Sequence, residues 1–217
     1  MPKCFLKMGG NKILKRDTLR IILLFGFAIS GMTALIYEVV WTRPLQLIFG
    51  STIYAVSAML TTLMIGFVLG AFLFRNLADR SKNPALLFAG LSFGIGAYGL
   101  IALSLFKTLP SVYLYLLGVP GFQFFQFILA FLVLIVPATL FGATWPVVNR
   151  AYVNLAEMGK DVGRLYSFNS FGSAAGSLGA GFLLIPWLGI TNTALLAASL
   201  NLFIAFLLFL SQKNESK

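Results

Sequence analysis

Apolar residues fall into six blocks along this chain, and polar residues collect between them. The blocks run from Leu19 to Trp41, Thr52 to Phe74, Pro84 to Phe106, Phe122 to Val148, Leu165 to Leu188 and Thr191 to Leu210. A hydrocarbon layer about 30 Å thick needs roughly 20 helical residues at about 1.5 Å each. The pattern therefore predicts an all-α membrane protein of six transmembrane helices. A shorter run, "SVYLYLLGVP" (Ser111 to Pro120), cannot span; Pro110 and Pro120 at its ends, with Tyr113 and Tyr115, suit a turn of helix at the interface. No small-residue cleavage site follows the basic start of the chain, so the first block is expected to be an uncleaved span rather than a signal peptide.

Composition agrees with this class. Of 217 residues, 59% are hydrophobic and only 10% charged, with a mean hydropathy of +0.92. Soluble domains carry about 25% charged residues. The net charge of +10 is explained by its placement. All but Arg43 and Lys107 of the 16 Lys and Arg fall in the N-terminal tail or at its junction with the first block (Arg20), after the second and fourth blocks, or after the sixth. By the positive-inside rule these regions are cytoplasmic. The expected organisation is a basic cytoplasmic tail (1–18), a six-helix transmembrane domain (19–211) and a cytoplasmic tail (212–217). The charge is then a topology signal with access to anionic lipid, and no nucleic-acid role is expected.

The chemistry available is narrow. There is no histidine and a single cysteine, Cys4. Ser-His-Asp and Cys-His catalysis are excluded, and no metal or other cofactor is expected. An enzyme is not expected.

Polar side chains inside the blocks carry the functional reading. Ser30, Thr33, Ala34, Tyr37, Glu38 and Trp41 recur at spacings of three and four on the first span. Gln123, Gln126, Ala130, Pro137 and Thr144 approximately share one face of the fourth, and Tyr166 and Asn169 open the fifth. Substrate contacts are expected at Glu38, Tyr37, Trp41, Gln126 and Asn169; the alternative is hydrogen bonding between packed helices. Glu38 is the one acid well within a span, about 27 Å along the helix from Arg20. It either meets substrate or protons, or pairs with Arg43, expected just past the helix end before Pro44. Gly66 with Gly70, and Gly172 with Gly176, have the spacing that lets helix backbones approach closely, within the bundle or across a dimer. Pro137 removes a backbone donor and is expected to kink the fourth span.

Two resemblances follow from particular stretches. "GAFLFRNLADRSKNP" (Gly70 to Pro84) resembles the short loop between the second and third helices of a major-facilitator half, although Arg75 stands where Gly is usual. That implies a structural role for Asp79 and Arg80, the acid capping the next helix or pairing with Arg. "ALIYEVVWTRPLQLIFGSTIYA" (Ala34 to Ala55), "PATLFGATWPVVNRA" (Pro137 to Ala151) and "GRLYSFNSFGSAAGSLGAGFLLIPWLGI" (Gly163 to Ile190) together resemble the membrane region of the bacterial fused facilitator/spermidine-synthase-like family. The soluble synthase domain of that family has no counterpart in these residues. The resemblance implies a fold like one six-helix facilitator half in the bacterial inner membrane, with the first and fourth helices lining a cavity. It implies a transporter-like protein for a small cation such as a polyamine, working as a homodimer. The alternative is a non-transporting anchor or scaffold for a separate soluble aminopropyltransferase-like partner.

Overall fold

The computed structural model describes the backbone of residues 3–116 and 122–213, and the side chains of 18–108 and 124–213 except at positions 48 and 52. Gln123, Tyr113 and Tyr115 lie outside the described side chains. The chain is helical almost throughout: α1 (Lys3–Phe49), α2 (Thr52–Arg80), α3 (Pro84–Leu116), α4 (Phe122–Tyr152), a short 3₁₀ turn (Leu155–Glu157), α5 (Met158–Gly179), a π-helical turn (Ala180–Leu184) and α6 (Ile185–Lys213). Five helical stretches among the described residues are long and apolar enough to cross a membrane. That is consistent with a multi-pass membrane protein.

The expected fifth and sixth spans run together as one helical stretch, Leu155–Lys213. Within α6 the backbone leaves helical dihedrals at Gly189, at φ 78° and ψ 171°. That region is open essentially to glycine alone. The chain reverses there. Gly172 packs on the Ala28 backbone and Gly176 on Met32, so α5 runs parallel to α1. Beyond Gly189, Ala194 and Ala197 share a core with Tyr37, whereas Ile204 meets Gly26; α6 therefore runs back along α1. The π turn lies just ahead of Pro186, where Ile185 donates to Ala180, five residues back. It absorbs the register change at a residue that cannot donate.

Two other expected boundaries also move. α1 does not end before Pro44 but continues to Phe49. One missing N–H is a small loss, and neighbouring polar groups tolerate it inside a helical bundle. The link to α2 is only Gly50, with φ 63°, and Ser51. The helix of the Ser111–Pro120 stretch is continuous with α3 as far as Leu116.

α4 keeps its helix through Pro137 and Pro146. Pro137 leaves the Val133 carbonyl without its usual donor four residues on. The Tyr98 hydroxyl of α3 donates to that carbonyl. The most extensive packing joins α2 to α4, α1 to α5 and α3 to α6. Glycines make the first two possible. A β-carbon on Gly66 would strike Ala138, and one on Gly70 would strike the Thr139 carbonyl. The same holds for Gly172 and Gly176 against α1, so all four glycines serve contacts within the bundle.

The core forms two layers along the bundle. One gathers Leu23, Phe27, Ala78, Phe88, Val148, Leu165 and Leu208. The other gathers Tyr37, Trp41, Met59, Ala102, Leu134 and Ala197. The first layer adjoins the end where α2, α4 and α6 finish, with Arg80, Arg150 and Lys213 near their C-termini. Large apolar side chains such as Ile53, Phe72, Phe171, Phe182 and Trp187 face outward.

Candidate functional site

Three open cavities touch the expected site residues, and they separate those residues from one another. The inner cavity, about 470 Å³, lies among α1, α2, α4 and α5. Its walls include Phe27, Ser30, Phe67, Trp145, Tyr166 and Asn169. No charged side chain lines it. Asn169 reaches across from α5 and donates from Nδ2 to the Phe27 carbonyl at 2.9 Å. Phe27 and Trp145 lie 5.4 Å apart, and Tyr166 meets Trp145 edge-on at 6.3 Å. Gly31 lets α5 come this close, since a β-carbon there would press on Asn169 and Ser173.

The outer cavity, about 390 Å³, continues along α1 between α2 and α5. It is lined by Glu38, Thr42, Arg43, Gln46, Met59 and Ser177, among others. Leu35 belongs to both cavities. Leu35 is thus the lining residue that an uncharged chamber and a charged one share. No extensive packing joins α2 to α5, which leaves this side of the bundle cleft open.

Glu38 and Arg43 share that outer cavity, yet the structure shows no ion pair between them. The helix explains this. Side chains three or four residues apart face each other; five apart they diverge by about 140° around the axis. With α1 intact through Arg43, the two charges flank the cavity instead of joining across a helix end.

Tyr37 and Trp41, expected beside Glu38, turn away from it. They are 0% and 2% exposed and stack on each other at 4.6 Å. Tyr37 packs into the space left by Gly99, and Trp41 meets Phe106 at 6.0 Å. The Tyr37 hydroxyl and Trp41 Nε1 have no hydrogen-bond partner. These rings are interior packing, one helix face away from Glu38. Gln126 is buried and lines a third cavity of about 300 Å³ with Tyr54, Ser57 and Phe124.

Asp79 and Arg80 are exposed at the end of α2 and form no ion pair. The cap of α3 is Asn83, whose Oδ1 accepts from the Leu86 N–H at 3.2 Å. Its Nδ2 also donates to Gln212 Oε1 at 2.6 Å, tying the α2–α3 link to the end of α6.

One polar cluster was not foreseen. Arg20 pairs with Asp161 at 2.7 Å; the carboxylate is 0% exposed and the arginine 32%. Asp161 also accepts from the Asn154 backbone at 3.0 Å. The Arg20 guanidinium lies over the Tyr152 ring, 4.7 Å from its centroid. This cluster ties the start of the apolar part of α1 to the α4–α5 link, below the Trp145–Tyr166 pair. Asp161 and Glu157 are the two acids of the stretch between the fourth and fifth blocks, beside Arg150, Lys160 and Arg164, and the sequence does not distinguish the buried one from the exposed one.

Comparison with protein-family models, with curated proteins and with solved structures gives no match.

Proposed function

We propose that the protein is a six-span, transporter-like membrane protein whose solute path follows the cleft along α1. The observation that carries this reading is the pair of cavities that share Leu35 in their walls. They lie end to end along one helix, as a path with a central constriction requires. The reversal at Gly189 supports counting α5 and α6 as separate spans. The basic helix ends support a cytoplasmic placement for both ends of this chain. In this reading the open side between α2 and α5 is covered by a second copy, so the working unit is a homodimer in the bacterial inner membrane.

A polyamine is a poor fit to this path. The inner cavity offers no carboxylate, and in the outer one Arg43 stands beside Glu38 and repels a second cationic centre. The expected solute is small and not polycationic.

The test is uptake into proteoliposomes of a labelled panel of amino acids and polyamines. Wild type should carry at least one amino acid faster than protein-free liposomes, and Leu35→Trp should reduce that flux. No flux for any member, or equal flux through Leu35→Trp, refutes the path. Cross-linking in native membranes tests the dimer.

A further inference from the structure

The outer cavity pairs an acid and a base that leave each other unbonded. Glu38 and Arg43 both line it. Neither side chain has an ion pair or hydrogen bond in the structure. They sit five residues apart on α1, about 7.5 Å along the axis. Thr42, Gln46 and Ser177 add neutral hydrogen-bonding groups between and opposite them. The Thr42 hydroxyl is held by the Glu38 carbonyl at 2.7 Å, so its remaining capacity is to accept. Val56, Met59 and Leu60 of α2 form an apolar wall.

We propose that this cavity binds a zwitterion, with Glu38 holding its ammonium group and Arg43 its carboxylate or phosphate. A lone cation satisfies Glu38 but meets the guanidinium; a lone anion meets the reverse. A molecule carrying both charges satisfies both groups. Charge-assisted hydrogen bonds are the strong kind, and an apolar wall keeps competing water from part of the site. The volume of about 390 Å³ equals roughly a dozen waters at about 30 Å³ each. That suits a free amino acid or the head of an ethanolamine phospholipid entering through the open side. The inference rests on the transport reading for the meaning of the site, but its test is equilibrium binding, which needs no flux.

The experiment uses the purified full chain in detergent. Labelled γ-aminobutyrate and labelled glycerophosphoethanolamine serve as probes in a scintillation proximity assay. Unlabelled putrescine and butyrate are competitors carrying one sign of charge only. At least one zwitterion should bind, and neither competitor should displace it well. Preference for γ-aminobutyrate assigns the site to a free amino acid; preference for glycerophosphoethanolamine assigns it to a lipid head. Glu38→Gln and Arg43→Gln should each weaken binding by about tenfold or more. Arg43→Gln should also make putrescine the better competitor, and Glu38→Gln butyrate. The competition pattern of the wild type stands as a test even if a variant fails to fold. Retained binding without flux supports the site and fails the path alone. The proposal is overturned if neither zwitterion binds up to about 10 mM, if putrescine competes as well as the zwitterions, or if both well-folded variants bind like wild type.

Discussion

Removing the hydroxyl of Tyr98 tests whether α3 repairs the gap that Pro137 opens in α4. The Val133 carbonyl accepts from Tyr98, and Pro137, four residues on, has no N–H to offer it. Tyr98→Phe therefore leaves a carbonyl in an apolar interior with no donor. Leaving such a group unsatisfied costs about 1–3 kcal/mol, while hydrogen bonds between membrane helices average about 0.6 kcal/mol. A loss of about 1–1.5 kcal/mol lies between these bounds. In a Pro137→Ala background the backbone supplies its own donor, and the same Tyr98→Phe change should cost under about 0.5 kcal/mol. The coupling of about 1 kcal/mol is within reach of a double-mutant cycle, read from reversible unfolding in bicelles. Equal costs in the two backgrounds would refute the reasoning, since the hydroxyl would then be unconnected to the missing N–H.

Three further outcomes are expected. Gly189→Ala should destabilise the fold by about 1–3 kcal/mol through backbone strain alone, because no atom crowds that site, whereas Gly181→Ala, equally uncrowded, should be near neutral; thermal unfolding of the two variants separates strain from packing. Gly70→Val should destabilise by about 3 kcal/mol or more as α2 is forced off the Thr139 carbonyl, with Gly90→Val, at an uncrowded position, as the control; monodisperse yield from membranes reports both. Arg20→Met should cost about 2–3 kcal/mol by stranding the fully buried Asp161 carboxylate, and Asp161→Asn only about 1 kcal/mol because water still reaches Arg20; equal losses would contradict this asymmetry.

Apolar blocks and glycine spacing made the helices and their tight contacts legible in the sequence. The joins were not. Pro44 and the Leu188–Ile190 region both read as ends, yet the first lies inside α1 and the second is a one-residue break. A proline in a membrane helix costs one hydrogen bond, and whether a neighbour restores it depends on residues far away in sequence. The candidate site shows the same division. Glu38 could be singled out because carboxylates in apolar spans are rare. Tyr37 and Trp41 could not be placed, because the bundle interior and the lipid are equally apolar and periodicity does not say which face is which. Asp161 and Arg20 are 141 residues apart, and nothing local announces their pairing. Leu35 looks like any other leucine until two cavities are found to share it.

The single-glycine reversal at Gly189 bears on how the protein enters its membrane. From Leu165 to Gln212 no residue is charged, so nothing between the two arms of this hairpin anchors it on the far side during synthesis. On the proposed six-span reading the arms enter as one unit, and the positive-inside rule keeps Arg164 and Lys213 together on the cytoplasmic side. On that reading, charged residues inserted beside Gly189 would have to be dragged across the bilayer, turning one paired crossing into two separate and slower ones.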